Sequence, residues 1–151
     1  MALLTWDEQF TVGMQAMDAQ HQLLCETLNE LHRACMKGEA RDLTEPLLWN
    51  LLAYARQHFS AEELMLAHAN YPGLTQQQFL HRNLTLKMEQ YMARFHRGES
   101  AIDLQFLQFL RDWFTNHIQK VDRCYQLWMI NHRIEQEEGV CAVSNLEREL
   151  G

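Results

Sequence analysis

The chain has 151 residues, 47% of them hydrophobic, with 13 Lys and Arg against 20 Asp and Glu, for a net charge of −7. This length suits one globular domain. The net negative charge argues against a nucleic-acid-binding protein, which needs a positively charged surface to bind phosphates. The sequence has no run of 18 apolar residues and no basic N-terminal flank before an apolar stretch, which argues against a membrane span or a signal peptide. We therefore expect a cytoplasmic protein with no nucleic-acid partner and no membrane attachment.

Composition and spacing predict an all-α protein, because only 6 Gly and 2 Pro interrupt a chain rich in Leu, Gln, Glu, Met and Ala. The first 16 residues lack helical spacing and predict a non-helical arm that packs across the helices. From Met17 onward, apolar residues recur at steps of three and four and predict a first helix that stops near Gly38. Asp42-x-x-Glu45 resembles a capping box and predicts the start of a second helix.

Two further helices are predicted between residues 75 and 117. Thr75-x-x-Gln78 can cap the third helix, Gly98 can end it, and Ser100 can cap the fourth. Connections of only a few residues force consecutive helices to lie antiparallel. The predicted architecture is therefore an up-down four-helix bundle.

The fourth helix is predicted to run beyond the bundle to about Glu138, and Val143, Leu146 and Leu150 continue the helical spacing in the tail. We therefore divide the chain into a bundle over residues 1–132 and a C-terminal helical extension or linker over residues 133–151. Two interpretations of the extension stay open at this point. It is either a frayed tail or a helix that pairs with a second copy or leads into a following domain.

Five polar residues fall on the predicted core stripes, where an unpaired imidazole or carboxylate is costly to bury. They come from four different helices: His21, His58, Glu62, His81 and His117. His58 and Glu62 are four residues apart and project side by side from one helix. Imidazoles with few carboxylates suit Fe, Zn, Cu or Ni better than Mg or Ca. The pattern predicts a metal site inside the bundle.

Several motifs occur in one order over roughly residues 1 to 130. They are Trp6, Val12-Gly13, Asp18-x-x-His21, His58-Phe59-x-x-Glu62-Glu63 with Met65, Tyr71-Pro72-Gly73, His81, and Trp113-x-x-x-His117-Ile118-x-x-x-Asp122-x-x-Tyr125. Together they resemble the bacterial hemerythrins and hemerythrin-like domains. Each fragment is weak by itself, whereas the ordered set is specific.

The resemblance implies a non-haem di-iron centre of two iron ions with an oxo or hydroxo bridge. The carboxylates matching Glu62 and Asp122 would bridge the irons. The resemblance also implies that His21 and His58 hold the iron with an open site for dioxygen, while His81 and His117 hold its neighbour. The implied metal ligands are thus His21, His58, Glu62, His81, His117 and Asp122.

Asp122 is an awkward ligand for a regular α-helix. It follows His117 by five residues, which places the two side chains about 140° apart around the axis. A local π-type bulge would bring both side chains inward. Such a bulge would reconcile Asp122 with the ligand set that the resemblance implies, but the spacing alone does not specify the helix geometry here.

Gln77 is the main departure from the family pattern, which places a further histidine four residues before His81. Gln76 and Gln78 are also glutamines, so no small shift of alignment restores an imidazole. We expect the second iron either to take the Gln77 carbonyl oxygen or to keep an exchangeable water. The remaining histidines lie too far along their helices to substitute, and we expect them to be solvated or packed at helix ends: His32, His68, His96 and His132.

Three functions follow from this site. The first is an input domain that binds dioxygen or another small exogenous ligand and senses oxygen or redox state for a bacterial signalling protein, commonly a diguanylate cyclase. The alternative is a stand-alone oxygen storage or carrier protein. The third, a di-iron oxidase or peroxidase, is disfavoured because no general base or organic-substrate pocket is readable. We therefore predict that the chain is not an enzyme and that any catalytic output module lies outside it.

The resemblance also directs attention to the apolar residues that flank the ligands on their helices. Four of them are candidates for the wall of an oxygen pocket: Leu24, Leu28, Trp113 and Ile118.

Overall fold

Long helices make up most of residues 2–134, the part of the chain that the computed structural model describes. They are α1 (Gln15–Met36), α2 (Arg41–His68), α3 (Leu74–His96) and a fourth rod built from α4 (Leu104–Asn116), a π-helical segment (His117–Asp122) and α5 (Arg123–Ile134). Within this range there is no strand. The predicted all-α four-helix bundle is confirmed.

The connections between the helices are short and span residues 37–40, 69–73 and 97–103. The principal packing contacts join α1 to α2, α2 to α3 and α1 to α4. Short loops between neighbouring helices give the up-down order. None of the helices in the described range is long and apolar enough to cross a membrane.

The domain boundary placed after residue 132 falls within α5. The extension predicted over residues 133–151 lies almost entirely outside the described residues. The division of the chain therefore stays a prediction.

The predicted capping box at the start of α2 is wrong. The helix begins at Arg41, and its N-cap residue Ala40 makes no side-chain cap hydrogen bond. The Glu45 carboxylate instead pairs with Arg41 and, 2.7 Å away, with the His96 ring. Glu45 thus ties the start of α2 to the end of α3 rather than closing its own helix.

The other two predicted caps also differ from the structure. Helix α3 begins at Leu74 with Gly73 at the N-cap and no side-chain cap hydrogen bond, so Thr75 does not cap it. At the start of α4 the N-cap is Asp103 rather than Ser100, and its carboxylate accepts a hydrogen bond from the Phe106 amide. A carboxylate here stabilises the helix through both the hydrogen bond and the helix dipole.

The N-terminal arm packs across the bundle and contains one 3-10 turn, Glu8–Phe10, within its otherwise non-helical course. The Leu4 amide donates to Asn29 Oδ1 at 2.9 Å, and the Val12 amide donates to Asp18 Oδ1 at 2.7 Å. Leu4, Phe10 and Val12 are buried. The arm is therefore a fixed part of the core.

The apolar core fills most of the bundle interior. Its fully buried side chains are dominated by leucines: Leu28, Leu31, Leu48, Leu51, Leu52, Leu66, Leu84, Leu107 and Leu110, with Met88. Buried imidazoles and carboxylates occupy one end of the bundle, near the start of α1 and α3 and the end of α2. The antiparallel order brings these ends together.

Tyr71 closes the connection between α2 and α3 at this polar end. Its ring meets the rings of Tyr125 and Trp128 edge to face, with centroids 6.3 and 5.5 Å away. A Cβ atom at Gly73 would lie 2.5 Å from the Tyr71 ring. Gly73 is required because the tyrosine ring occupies the space that any side chain would need.

We expect Gly73→Ala to destabilise the protein by about 1–3 kcal/mol, since the new methyl group displaces the Tyr71 ring. Urea unfolding measures the change, and near-ultraviolet circular dichroism reports the displaced aromatic cluster. Gly38→Ala is the control, because Gly38 has a φ of +70° but no neighbour within 4 Å. This control should lower stability through backbone strain alone and leave the aromatic spectrum unchanged. An unchanged spectrum for Gly73→Ala would contradict the steric argument.

Candidate metal centre

Six buried side chains meet at the polar end of the bundle. His21 comes from α1, His58 and Glu62 from α2, and His81 from α3. His117 and Asp122 come from the π-helical segment of the fourth rod. Each is at most 4% exposed. The structure therefore places all six predicted metal ligands in one cluster.

The π-helical segment brings His117 and Asp122 to the same face. In a π-helix the backbone hydrogen bond joins residues five apart, so side chains at this spacing lie nearly above one another. His117 Nε2 lies 3.2 Å from Asp122 Oδ1. The segment spans His117–Asp122, the stretch in which the sequence required a bulge.

Glu62 lies between two pairs of histidines. Its Oε2 atom is 3.6 Å from His21 Nε2 and 3.5 Å from His58 Nε2. Its Oε1 atom is 3.1 Å from His81 Nε2 and 4.0 Å from His117 Nε2. Each carboxylate oxygen thus faces a different pair of imidazoles, as a bridge between two metal ions requires.

Asp122 repeats this arrangement. Its Oδ2 atom lies 3.3 Å from His21 Nε2, while its Oδ1 atom faces His117. Donor atoms within 4.8 Å of one another form two groups, which we name by their histidines. The His21/His58 half-site also contains Glu62 and Asp122, and the His81/His117 half-site shares Glu62.

The donor set fits a pair of metal ions. Several buried polar atoms have no hydrogen-bond partner: His21 Nε2, Glu62 Oε1, Asp122 Oδ2 and Gln77 Oε1. A buried polar atom without a partner is costly, and a coordinated metal ion removes that cost. These four atoms belong to the cluster in which the candidate ligands converge or to the amide bonded to it.

Comparison with known proteins agrees with this geometry. Residues 12–126 match the Hemerythrin HHE cation binding domain. The chain is 30% identical over 126 residues to a bacteriohemerythrin of Methylococcus capsulatus, covering 83% of this chain and 95% of that protein. The chain belongs to the hemerythrin family.

Further relatives and solved structures agree on the family. A bacteriohemerythrin of Stenotrophomonas maltophilia is 30% identical over 125 residues, covering 83% of this chain and 80% of that protein. A crystal structure of wild-type hemerythrin superimposes with a TM-score of 0.80 at 30% identity, covering 83% of this chain and 96% of that chain. The cofactor of this hemerythrin domain is a di-iron centre, since the family binds one and the clusters here can hold it.

Gln77 occupies the position at which the hemerythrin pattern has a further histidine. The side chain is 1% exposed, and its Nε2 donates to Asp122 Oδ1 at 2.9 Å. Its Oε1 has no hydrogen-bond partner. The Gln77 amide therefore contacts the cluster through Asp122, beside His117, and its Oε1 atom is left without a hydrogen-bond partner.

Residues outside the ligand set hold the ligands in place. The His58 Nδ1 atom pairs with Gln20 Oε1 at 2.7 Å, and His81 Nδ1 pairs with Glu63 Oε2 at 2.8 Å. The Tyr125 hydroxyl donates to Glu62 Oε2 at 2.8 Å. Sequence reasoning missed the contacts of Gln20 and Glu63. Glu63 stands in the motif His58-Phe59-x-x-Glu62-Glu63, whereas the only signal for Gln20 was its position directly before His21.

A narrow apolar pocket adjoins His21. It lies between Leu24, Leu28, Ile118 and other apolar side chains, which include Leu4, Trp6, Phe10, Cys25 and Phe114. Its gaps are narrower than a water molecule, so entry of a diatomic ligand requires side chains to move. Three of the four predicted wall residues line it.

Trp113, the fourth predicted wall residue, does not line this pocket. Its ring stacks on His117 instead, with centroids 4.5 Å apart and an interplanar angle of 11°. Trp113 precedes His117 by four residues on the fourth rod, so the two rings lie on the same face.

The remaining histidines lie outside both donor groups. His68 and His96 are exposed, and His96 pairs with Glu45. The exposed His132 ring stacks on Trp128, and His32 is half-buried. The expectation that these four are solvated or packed near helix ends agrees with this placement.

Charge balance in the cluster shifts the pKa values of its members. Burial by itself lowers the pKa of His21 and His81, but the neighbouring carboxylates outweigh burial and raise each pKa to about 9. Burial raises the pKa of Glu62, and its three histidine partners lower it to well below the usual range. Without metal, protons on the imidazoles therefore balance the buried carboxylates.

We expect the metal-stripped protein to lose stability as pH rises from about 6.5 through 9. The folded-state pKa of His21 and His81 lies above the unfolded value, so their contribution is complete below pH 6.5 and disappears as the imidazolium protons dissociate. Thermal unfolding at a series of pH values measures this. The metal-loaded protein should not show the loss in this window, because the metal ions replace the protons. An identical pH profile with and without metal would count against the cluster as the metal site.

Proposed function

We propose that this hemerythrin domain binds dioxygen at a di-iron centre and senses oxygen or redox state, transmitting the change through its fourth rod. The proposed ligands are His21, His58, Glu62, His81, His117 and Asp122. The observation that carries the proposal is the π-helical segment, which places one candidate ligand near each half-site and continues directly into α5. A change in ligation at either metal therefore acts on the same six-residue segment.

Iron, when bound, supplies the capacity to bind dioxygen and to change oxidation state. The protein supplies the surroundings. Glu62 and Asp122 each present two oxygens to opposite half-sites, and the apolar pocket beside His21 keeps water away from one of them. An apolar wall disfavours the charged species that leave when oxygen oxidises the metal.

The His81/His117 half-site has one nitrogen donor fewer than the family pattern provides. The Gln77 amide is a weaker donor than imidazole, and a position held by an amide oxygen or by water is exchangeable. Each metal therefore has a labile position in this proposal. A carrier needs to protect its ferrous iron from autoxidation, so an exchangeable second position favours a sensor.

A second contact couples the centre to α5. The Tyr125 hydroxyl holds Glu62, and the Tyr125 ring is fully buried against Tyr71. When the charge or position of the Glu62 carboxylate changes, the start of α5 responds through this hydrogen bond as well as through the backbone. A following domain or a second copy in contact with α5 would then respond to its conformational change.

The diguanylate cyclase output and the homodimer remain extensions of this proposal, and the output module would lie outside the chain. The stand-alone oxygen carrier remains the second candidate, because several relatives are named bacteriohemerythrins. The lifetime of the oxygen adduct separates the two functions.

We expect purified protein to contain about two irons per chain and to pass rapidly to the diferric state in air without a lasting oxygen adduct. Metal analysis and absorption spectra of the reduced protein, recorded before and after exposure to air, test this. Gln77→His should lengthen the adduct lifetime about tenfold or more by restoring the nitrogen donor. Gln76→His is the control, because Gln76 is partly exposed whereas Gln77 is buried against Asp122, and it should leave the lifetime unchanged.

A long-lived adduct in the unaltered chain would favour storage or carriage and make Gln77 a tolerated substitution. Fewer than two irons in protein that was folded and purified with iron would contradict the di-iron assignment itself.

The coupling has its own test. We expect amide hydrogen exchange in α5 to differ between the diferrous and diferric forms, because both the π-helical segment and Tyr125 connect α5 to the ligands. Tyr125→Phe should reduce the difference while leaving the iron content at two. Identical hydrogen exchange in α5 in the two oxidation states would rule out this path. The exposed C-terminal end of α3 is remote from the centre and serves as an internal control, so its exchange should be the same in both oxidation states.

A further inference from the structure

A surface cleft, which we name the α3/α4 cleft, lies between the second half of α3 and the start of α4, at the end of the bundle opposite the metal cluster. Its volume is about 670 Å³, within the range of pockets that hold small organic ligands. Among the described residues, its lining combines three cations with three aromatic rings and includes no carboxylate. The lining residues are Lys87, Gln90, Tyr91, Ala93, Arg94, Arg97, Phe106 and Phe109.

The charge of the α3/α4 cleft is opposite to that of the chain, which carries a net charge of −7. Neither Lys87 nor Arg94 forms an ion pair with a carboxylate in the part of the chain that the structure describes. The cleft between α2 and α3 differs, because its lining includes the ion pair of Arg56 with Glu89. Cations without a carboxylate partner at the α3/α4 cleft therefore attract an anion.

Aromatic rings hold these cations in place. The Lys87 Nζ atom lies 5.4 Å from the centre of the Phe109 ring. The Arg94 guanidinium carbon lies 5.8 Å from the centre of the Tyr91 ring. The Tyr91 ring in turn stacks on Phe106, with centroids 3.6 Å apart and an interplanar angle of 2°, and its hydroxyl donates to a backbone carbonyl. The aromatic floor is therefore fixed before a ligand arrives, which lowers the entropic cost of binding.

The spacing of the cations along α3 sets the shape of a suitable ligand. Arg94 and Arg97 are three residues apart on one helix and are therefore neighbours, as is needed to hold a phosphate group from two sides. Lys87 precedes Arg94 by seven residues, which places it on the same face and about 10 Å away along the helix axis. A ligand that spans the cleft thus has an anionic group at the arginines and a flat group at Phe109.

Glu99 competes with such a ligand for one of these cations. Its carboxylate accepts two hydrogen bonds from the Arg97 guanidinium, at 3.0 and 2.9 Å. Both side chains are more than half exposed, and an exposed ion pair contributes little to stability. Asp103, the carboxylate near Tyr91, is held at the N-cap of α4 by the hydrogen bond that it accepts there. A phosphate that approaches Arg97 can therefore take the place of Glu99.

We propose that the α3/α4 cleft binds a nucleoside monophosphate, with the phosphate between Arg94 and Arg97 and the base against Phe109. Lys87 and Gln90 then supply donors for the acceptor atoms on the edge of the base. A nucleoside phosphate joins in one molecule the anion and the flat ring that this lining selects. The site is separate from the metal cluster, so the proposal goes beyond the di-iron function and does not depend on it.

Isothermal titration of the full chain with AMP, adenosine and inorganic phosphate tests the class of ligand. We expect one equivalent of AMP to bind. Adenosine and phosphate should each bind about tenfold or more weakly than AMP, since each lacks one of the two recognised groups. The affinity for AMP should fall as the salt concentration rises, because the contact with the phosphate is ionic.

Substitutions in the cleft test the residues. Lys87→Met and Arg94→Met keep an aliphatic stem and remove the charge, and each should weaken AMP binding about tenfold or more. Phe109→Leu removes the stacking surface and should weaken AMP binding about fivefold or more. Arg82→Met is the matched control, because Arg82 lines the cleft between α2 and α3, and it should leave AMP binding unchanged.

Glu99→Gln tests the proposal in the opposite direction. Loss of the carboxylate releases Arg97, so AMP binding should strengthen about two- to fivefold. A variant that had merely lost structure would not bind AMP more tightly. Circular dichroism of every variant verifies that it is folded.

Absence of saturable AMP binding to the unaltered chain would overturn the proposal. Equal affinities for adenosine and AMP would exclude recognition by the cations, and equal affinities for phosphate and AMP would exclude recognition by the aromatic floor. AMP binding that Arg94→Met leaves unchanged would place the nucleotide outside this cleft. Each of these failures would leave the di-iron proposal standing, because the iron content is measured separately.

Discussion

The structure depends on the burial of two carboxylates and four imidazoles in the core of a helical bundle. Each of these groups is nearly inaccessible to solvent, and burial of a charge without a partner is among the largest costs in folding. The cluster offsets this cost because negatively charged carboxylates lie next to imidazoles, with Glu62 and Asp122 between the four rings. The same placement gives two adjacent donor groups that share a carboxylate. Charge neutralisation and metal binding are thus satisfied by one arrangement.

The fourth rod departs from regular α-helical geometry at the cluster. A regular helix would turn either His117 or Asp122 away from the interior, and the six-residue π-helical segment brings both inward. Trp113 stacks on the face of His117 and does not line the apolar pocket. Because α5 continues from this segment, the irregular stretch that completes the centre is also the connection to the C-terminal end of the domain.

The two half-sites are chemically unequal. One adjoins an apolar pocket. The other contains Gln77 in place of an imidazole and has a hydrated carboxylate, Glu63, behind one ring. Inequality of this kind suits a site in which the two metals perform different tasks, with one protected from water and the other open to exchange. The proposed sensing function uses both properties.

The sequence by itself determined the elements of this protein, because periodic apolar spacing specifies helices and short loops specify their order. It also identified His21, His58, Glu62, His81 and His117 as candidate metal ligands, since a polar residue on a core stripe needs a partner. Asp122 required the family resemblance, because its spacing from His117 breaks the α-helical period. Only the tertiary structure decided the caps at Ala40, Gly73 and Asp103 and the contacts of Gln20 and Glu63. The contacts of Gln20 and Glu63 join residues that are distant along the chain, and no local pattern encodes a pairing set by how helices pack.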